Sequence, residues 1–447
     1  MDYFIQRLYV SMDSVFFWIS WLVIPFVVEV IPKIYVFFRV LLGRFYQSTL
    51  KSLQEYPFIT LIIPTYNSAA TLKRCIQSVM DSTYPLSQIQ VIIADNQSTD
   101  NIKDVYQEIQ LANPELFLQY INSKKGKASG MNAAIYQSVG CYIINMDSDG
   151  VLDKKGLEFI VAYLEEHPET PAVGGTIMTH TLPGQKSTFL QKNEFFEYCQ
   201  IFLFGRQYAS ANKEIFTLAG AFSAYQKAAL FKTRLYNTDS IAEDTDITFQ
   251  IRTQISEEIA YCREAVYYTD AIPNLQALIS QRERWQKGEL EVASNFAHER
   301  LNFKNFFTDF VIRQMIVSNT FAFLKMIWLF SSVMFLMMNF SGWVLSMSYV
   351  FLYLIYVFLA LLYWLGILLI LPKNSASRKR HLRNPLVIFT FPIYNFLTFC
   401  IRLGGIINYF TRVAKWNTTT VVTDWQNIRT VIINDWLTLT KVKGKKK

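Results

Sequence analysis

A pair of aspartates in this chain has the side chains and the spacing to do chemistry. Asp147 and Asp149 lie two positions apart, after the apolar run Tyr142 to Met146 and before Gly150. Two carboxylates at the end of a buried strand can hold a hard cation beside phosphate oxygens, and Asp149 is the better ligand of the two. The same spacing occurs in solvated turns, so the apolar run before it is what favours a divalent-cation site.

A second acidic pair, Glu243-Asp244, can supply a base. A carboxylate beside an acceptor hydroxyl can take its proton during group transfer; Asp244 is the candidate, with Glu243 next to it. Acidic residues also favour the first turn of a helix, which is the competing explanation for this cluster.

Residues suited to a nucleotide base precede both acidic pairs. Asp95 ends an apolar run, where its carboxylate can accept the imino hydrogen of a pyrimidine such as uracil, while Thr65 and Tyr66 offer a hydroxyl and a ring surface. Asp95 and Asp100 can instead be turn and cap residues. That explanation is strong for Asp100, which precedes a helical pattern and is predicted to be its N-cap.

Basic and aromatic side chains can bind a leaving group and an acceptor. Lys127, in the loop Lys124 to Lys127 before a predicted helix, suits a diphosphate through its charge and the helix dipole. Gln281, Arg284 and Trp285 fall at i, i+3 and i+4, so they share one face of a helix. There an arginine can neutralise a diphosphate and an indole can lie under a sugar ring. Each pattern alone is more often plain surface.

A soluble α/β domain is predicted between Tyr56 and about Ala297, with a βαβ rhythm that indicates a doubly wound parallel sheet. Ligands of such sheets bind at the carboxyl ends of the strands, which is where the polar loops fall. The predicted strands are Phe58 to Ile63, Ile89 to Ala94, Leu116 to Ile121 and Cys141 to Met146, and the predicted helices are Ala69 to Met80, Asn101 to Leu111 and Ser129 to Gln137.

The composition indicates a membrane protein: hydrophobic residues make up 51% of the chain and charged residues 17%. Val344 to Leu371 carries no charge and is long enough to span a bilayer, Phe321 to Phe340 carries one, and Ser14 to Val28 reads as part of an uncleaved anchor. Leu386 to Phe410 can span, re-enter or lie flat, and we favour a re-entrant or interfacial segment. Residues 299–320 are predicted to form an amphipathic helix at the membrane surface, or alternatively a helix of the soluble core.

The formal charge of +8 does not indicate nucleic-acid binding, because the basic residues cluster in a loop from Arg378 to Arg383 and in the tail Lys441 to Lys447. Beside apolar segments such clusters mark the cytoplasmic face. Five scattered cysteines and four scattered histidines argue against a disulfide framework and a zinc site, and fit a reducing compartment.

Taken together, the motifs resemble the processive family 2 glycosyltransferases, which include cellulose, chitin, hyaluronan and poly-N-acetylglucosamine synthases. The similarity runs from about Phe58 to Gly288. The family pattern is D, D-x-D, E-D and Q-x-x-R-W in this order, and the chain supplies it as Asp95, Asp147 to Asp149, Glu243-Asp244 and Gln281 to Trp285.

The resemblance implies a GT-A fold, a UDP-sugar donor and Mg²⁺ or Mn²⁺ on the D-x-D. It also implies that Asp244 is the catalytic base, that Gln281, Arg284 and Trp285 hold the end of the growing glycan, and that Ala219 to Ser223 lies on the acceptor side. Asn96-Gln97 and Asp270 depart from the usual family residues. The predicted spans are few, so a membrane or cell-wall partner protein is expected to complete an export channel.

The expected organisation is an anchor helix (1–50), a cytosolic GT-A domain (51–298), an interface helix (299–320), transmembrane or re-entrant helices (321–410) and a basic cytosolic tail (411–447), in a multi-pass protein of the plasma membrane. Two other functions are weighed against polymer synthesis. One is transfer of a single sugar to a lipid-linked acceptor, and the other is an inactive scaffold or sugar-binding regulator, which the intact Asp149 and Asp244 disfavour.

Overall fold

The computed structural model describes residues 23, 25–44, 50–181, 186–256, 258–297, 325–327, 329–337 and 341–411. The interface helix predicted over 299–320, the start of the predicted anchor and nearly all of the predicted basic tail lie outside these described residues.

The centre of the fold is one eight-stranded sheet with the order β3-β2-β1-β4-β7-β6-β8-β5. The strands, in chain order, are β1 Ile59–Thr65, β2 Ile89–Asp95, β3 Phe117–Asn122, β4 Tyr142–Met146, β5 Val151–Leu152, β6 Ala172–His180, β7 Phe222–Gln226 and β8 Ala260–Asp270. The first four strands are those predicted from the sequence, within a residue or two at each end, and they run parallel to one another.

The prediction of a mostly parallel sheet is wrong for the other half, because β7 lies antiparallel between β4 and β6, and β5 is antiparallel to β8. Only β6 and β8 pair in parallel there. The sheet is therefore mixed.

Helices cover the sheet and extend away from it. In chain order the helical segments are a π-helix Phe26–Val30, α1 Ile31–Arg44, α2 Ala69–Met80, a 3-10 turn Leu86–Gln88, α3 Ile102–Ala112, α4 Lys127–Gln137, α5 Gly156–Glu166, α6 Phe189–Gln200, a π-helix Ile201–Arg206, α7 Gln207–Ala211, α8 Lys227–Leu230, α9 Glu243–Gln254, α10 Leu275–Ala297, α11 Gly342–Ile370, α12 Ala376–Leu382 and α13 Val387–Thr411.

The sheet core forms because β1 and β2 are almost entirely apolar and buried on both faces, as strands between two helical layers must be. Gly140 allows β4 to begin against β1, since a Cβ at this position would lie 2.5 Å from the backbone of Ile59 and Thr60. Burial along these strands fixes their register and so brings their carboxyl ends to one edge.

A second apolar core joins the half of the sheet that contains β6 and β8 to the C-terminal helices. Phe37 of α1 stacks on Phe204 at 5.5 Å between ring centroids, and Phe204 meets Tyr363 of α11 at 4.9 Å. Gly366 makes this approach possible, because a Cβ there would lie 2.4 Å from the Phe37 ring. The apolar helices are thus packed against the domain that carries the sheet.

Two helices of the described part are long and apolar enough to cross a bilayer by length and composition, Gly342–Ile370 and Val387–Asn408. Helix α13 continues through Pro392 without a break. The re-entrant or interfacial position expected for this segment stays a prediction. Part of the span predicted over Phe321 to Phe340 is also helical, at 325–327 and 329–337.

The basic segment between these helices is a helix, α12, rather than the predicted loop. Arg378 donates to the carbonyl oxygens of Leu368 and Leu371 at the end of α11, where a cation is favoured by the helix dipole. Arg380 donates to the carbonyl of Thr179 at the end of β6, and its guanidinium lies 4.4 Å from the centroid of the Phe195 ring. The link between α11 and α13 is therefore docked on the sheet domain.

Candidate active site

The carboxyl ends of β1 and β2 form a small polar corner. Thr65 and Asp95 are register partners there, and both side chains are buried. One Asp95 oxygen accepts from the Ser98 hydroxyl at 2.6 Å, and the other accepts from the Tyr120 hydroxyl at 2.6 Å. The Thr65 hydroxyl is buried and has no hydrogen-bond partner among the described residues. Tyr66 follows it and is exposed.

Asp100 has a different role from the one predicted. Its carboxylate accepts from the backbone N–H of Ala69 at 2.8 Å, so it caps the start of α2, which is distant in sequence. Asn101 is the N-cap residue of the following helix and makes no capping hydrogen bond with its side chain. The prediction that Asp100 caps its own helix is therefore wrong, because that helix begins at Ile102 with Asn101 as its N-cap.

Lys127 lies at the start of α4, after Gly126, whose φ of 122° suits glycine. Its ammonium is 3.1 Å from a carboxylate oxygen of Asp147 and 3.3 Å from one of Glu243. Burial opposes the positive charge, but Asp147, Glu243 and Asp244 together outweigh it and raise the lysine pKa. Lys127 therefore remains charged and joins the end of β4 to the start of α9.

Asp149, the predicted metal ligand, lies in a buried environment that other carboxylates share. Burial raises its pKa to about 6, and the nearby Asp147 and Asp270 add to that effect. The loop is held from outside by Arg74, which donates to the Asp149 carbonyl at 2.8 Å and to both carboxylate oxygens of Asp270. A cation placed at Asp149 would relieve the crowding of like charge that disfavours its ionisation.

A complete metal cage is absent from the part of the chain that the structure describes, where no group of three or more His, Cys, Asp or Glu side chains is placed to hold an ion. The donor set nevertheless fits Mg²⁺ or Mn²⁺ bound together with a diphosphate, since Mg²⁺ is commonly held by one or two carboxylates plus phosphate and water oxygens.

Asp244 is the second residue of α9, and its carboxylate accepts from the backbone N–H of Gly220 at 3.2 Å. The backbone carbonyl of Ala221, the residue after Gly220, accepts from the backbone N–H of Asp147 at 3.2 Å. The segment Ala219 to Ser223 thus connects the D-x-D loop to the candidate base. The side chain of the neighbouring Glu243 is 16% exposed; its partial burial raises its pKa, which Lys127 opposes and Asp244 reinforces.

Helix α10 carries Gln281, Arg284 and Trp285 on one face. Gly288 lies on their face, and a Cβ there would stand 2.4 Å from that of Ala242, so the helix passes directly beside the residue before Glu243. Arg284 and Trp285 are exposed. The buried side-chain oxygen of Gln281 has no hydrogen-bond partner among the described residues.

Tyr198 of α6 lies between the two sides of the cleft. The Arg282 guanidinium is 6.0 Å from the centroid of its ring. The pKa of its buried phenol is raised, first by burial and also by carboxylates that include Asp149. Of the site residues predicted from the sequence, the structure joins Lys127 directly to Asp147 and Glu243 and places Asp244 beside Gly220; it adds Arg74, Gly220 and Tyr198 to the same region. Arg74 and Tyr198 carry no motif, because their contacts cross many residues of sequence.

Comparison with known proteins covers most of this site. The family described as "Glycosyl transferase family 2" matches residues 60–232, from β1 through α8. A poly-beta-1,6-N-acetyl-D-glucosamine synthase of Staphylococcus epidermidis is 27% identical over 239 residues, which are 54% of this chain and 56% of that protein. Its Staphylococcus aureus counterpart (strain COL) is 23% identical over 278 residues, 62% of this chain and 66% of that protein.

The chain thus covers a little over half of the length of the S. epidermidis relative. Among solved structures, the mannosyltransferase PcManGT from Pyrobaculum calidifontis, in complex with GDP-Man and Mn²⁺, superposes with a TM-score of 0.55 and 15% identity, over 85% of this chain and 94% of that one. This likeness shows that the fold is of the GT-A kind.

Proposed function

We propose that this chain, which carries a family 2 glycosyltransferase domain of the exopolysaccharide synthase kind, extends a β-linked polysaccharide at a membrane. Its donor would be a UDP-sugar. The observation that carries the proposal is the position of Lys127. Its ammonium contacts Asp147 of the D-x-D and Glu243 beside the candidate base. Donor diphosphate and acceptor hydroxyl can then meet in one cleft.

The donor side is assigned from the polar corner outward. We propose that Asp95 accepts the imino hydrogen of uracil, with the Thr65 hydroxyl and the Tyr66 ring as further contacts. Lys127, at the N-terminus of α4, would bind the diphosphate through its charge and the helix dipole. Asp149, with Asp147, would hold Mg²⁺ or Mn²⁺, which neutralises the charge that develops on the leaving diphosphate.

The transfer step uses the residues at the start of α9 and on α10. Asp244 takes the proton of the acceptor hydroxyl as its oxygen attacks the anomeric carbon. The bond from that carbon to the diphosphate breaks, UDP leaves with the bonding electron pair, and the configuration inverts. Arg284 stabilises the departing charge, and Gln281 and Trp285 hold the sugar that carries the hydroxyl.

N-acetylglucosamine is the sugar we propose, because the curated relatives are named as poly-beta-1,6-N-acetyl-D-glucosamine synthases. Extension of a growing glycan is proposed in preference to a single transfer to a lipid-linked acceptor for the same reason. The catalytic domain (51–298) would face the cytoplasm of a multi-pass plasma-membrane protein, with the basic helix α12 on that side. A partner protein would complete the export channel.

The test is transfer by purified protein in detergent, supplied with UDP-N-acetylglucosamine or another UDP-sugar and with Mg²⁺ or Mn²⁺. We expect UDP release that depends on metal and, by mass spectrometry, a ladder of products. A single added sugar per acceptor would contradict the polymerising reaction and support the single-transfer alternative. No transfer from any UDP-sugar would contradict the proposed function.

Asp244→Asn tests the base in the same assay. Because general-base catalysis contributes roughly 10²- to 10⁴-fold, incorporation should fall by about that factor while UDP binding persists. Asp239→Asn is the matched control, since it removes an exposed carboxylate five residues earlier. Undiminished incorporation by Asp244→Asn would remove this residue from the role of base.

A further inference from the structure

One face of the Trp285 indole is covered by a cation. The Arg282 guanidinium carbon lies 4.4 Å from the centroid of its ring, well within the range of a cation–π contact. The tryptophan nevertheless keeps 43% of its surface exposed. The guanidinium therefore occupies one side of the ring and leaves the remainder of the indole exposed.

Arg282 is itself held in a nearly closed environment. Its guanidinium is 2.5 Å from a carboxylate oxygen of Glu197 on α6, and the two side chains are 10% and 16% exposed. An ion pair this sheltered from water is screened far less than a surface pair, and removal of either partner leaves the other charge buried. The guanidinium is thereby restrained against the indole.

The restraint continues into an apolar helix. The hydroxyl of Tyr394, a fully buried residue of α13, donates to the same Glu197 oxygen at 2.9 Å. One turn earlier on α13, Thr390 donates to Asn193 of α6 at 3.1 Å. A continuous chain of contacts therefore runs from Trp285 through Arg282 and Glu197 to Tyr394.

We propose that Arg282, Glu197 and Tyr394 are positioning residues that fix the Trp285 indole for a sugar of the acceptor, so that helix α13 sets the acceptor platform. The inference rests on the proposed function and deepens its acceptor side. The ligand class is a pyranose whose C–H face stacks on the free side of the indole. None of the three residues touches the reacting atoms.

The test separates acceptor binding from donor chemistry. Tyr394→Phe removes one hydroxyl, Glu197→Gln removes the charge but keeps an oxygen acceptor, and Arg282→Lys keeps the charge but loses the planar guanidinium. We expect the KM for a β-1,6-linked N-acetylglucosamine oligosaccharide to rise roughly fivefold for Tyr394→Phe and roughly tenfold for Arg282→Lys. The KM for UDP-N-acetylglucosamine should stay within twofold, and the polymer should become shorter.

Tyr353→Phe is the matched control. The Tyr353 hydroxyl on α11 donates to the carbonyl of Phe389 on α13 at 2.9 Å, so this variant also removes a hydroxyl contact to α13 but leaves Glu197 untouched. It should leave both KM values unchanged. Equal changes of donor and acceptor KM in Tyr394→Phe, or no change in Arg282→Lys, would overturn the inference.

A second measurement keeps this inference distinct from the proposed function. Calorimetric titration of the same oligosaccharide into the wild-type protein and Tyr394→Phe requires no donor turnover. If no UDP-sugar is transferred but the oligosaccharide binds the wild type several-fold more tightly than Tyr394→Phe, the proposed function fails and the positioning inference survives. If the wild type transfers sugar but both proteins bind the oligosaccharide equally, only the positioning inference fails.

Discussion

The proposed donor side and the proposed acceptor side of the site are built in different ways. The donor side consists of loops at the ends of adjacent parallel strands, and its central carboxylate, Asp95, is held by Ser98 and Tyr120 within that half of the sheet. The acceptor side is the face of α10, whose Trp285 is held through Arg282 and Glu197 by the apolar helix α13. Donor geometry therefore depends on the sheet, and acceptor geometry depends on helices that can lie in a bilayer.

Helix α13 also contacts α10 directly, on the face that carries Arg282. The guanidinium of Arg402 on α13 donates to Gln286 at 2.5 Å, and a Cβ at Gly405 would lie 3.3 Å from the Gln286 side chain. Gly405 thus lets α13 approach α10 closely. Loosening this helix pair should disturb acceptor binding before it disturbs donor binding.

Among variants that distinguish the donor side from the acceptor side, Asp149→Asn on the donor side is expected to lose the most activity. Loss of the carboxylate removes the proposed metal ligand, and outer-shell changes alone commonly cost about 10- to 100-fold, so we expect at least a 100-fold loss of UDP release. Initial rates at increasing Mn²⁺ measure it. Asp153→Asn, in the next turn, should be near normal, and an unchanged Mn²⁺ requirement in Asp149→Asn would refute the assignment.

Asp95→Asn should act on donor binding alone. Both oxygens of the Asp95 carboxylate accept hydrogen bonds, whereas only one atom of the asparagine amide can. A hydrogen bond to a charged group is worth roughly 1.5–3 kcal/mol. We expect the KM for UDP-N-acetylglucosamine to rise roughly 10- to 100-fold with the acceptor KM unchanged. A rise in the acceptor KM of the same size would break the division between the two sides.

Trp285→Ala should act in the opposite sense. Loss of stacking, worth about 0.5–1.5 kcal/mol beyond the buried area, should raise the acceptor KM by roughly tenfold and shorten the products, which mass spectrometry measures. Trp285→Phe keeps a ring and should recover part of the loss. Products of normal length from Trp285→Ala would show that the indole does not bind the glycan.

The smallest effect concerns stability at the junction of the two sides. Burial raises the pKa of Glu194 on α6 to about 7, opposed by the Ile272 N–H and Arg282. The folded protein therefore holds this proton more tightly than the unfolded chain, whose glutamate pKa is about 4.3, and stability falls by up to about 3 kcal/mol as the pH rises from that value through about 7.

The substitution Glu194→Gln removes this pH-dependent loss of stability. Its melting temperature in detergent should match the wild type at pH 5 and exceed it increasingly up to pH 8. Glu165→Gln, which alters an exposed carboxylate that accepts from Tyr142 at 2.7 Å, should follow the wild type throughout. A constant difference between Glu194→Gln and the wild type would mean that Glu194 does not titrate in this range.

The donor half of the molecule could be predicted well from the sequence. Apolar runs of five or six residues ending in polar loops locate β1, β2, β3 and β4, and parallel pairing then brings Thr65, Asp95 and Asp147 to one edge. The antiparallel half could not, because β7 (Phe222–Gln226) begins within Ala219 to Ser223, which the family resemblance assigned to the acceptor side rather than to a strand. Its pairing depends on neighbours far away in sequence.

The long-range contacts that hold the site together could not be predicted from the sequence either. Arg74 reaches Asp270 across 196 residues, and Tyr394 reaches Glu197 across 197. Neither pair has a spacing that repeats along a helix or strand, so only the folded chain reveals them. Asp100 shows the same limit, since its local position predicts one cap and the fold supplies another.

The most direct test is an experimental structure of the protein with UDP, Mn²⁺ and a β-1,6-linked N-acetylglucosamine oligosaccharide. The account predicts Mn²⁺ at Asp149, the diphosphate at Lys127, and the terminal sugar stacked on Trp285 with a hydroxyl at Asp244, all in one continuous cleft. Nucleotide and oligosaccharide bound in separate clefts, with Asp244 remote from both, would contradict it.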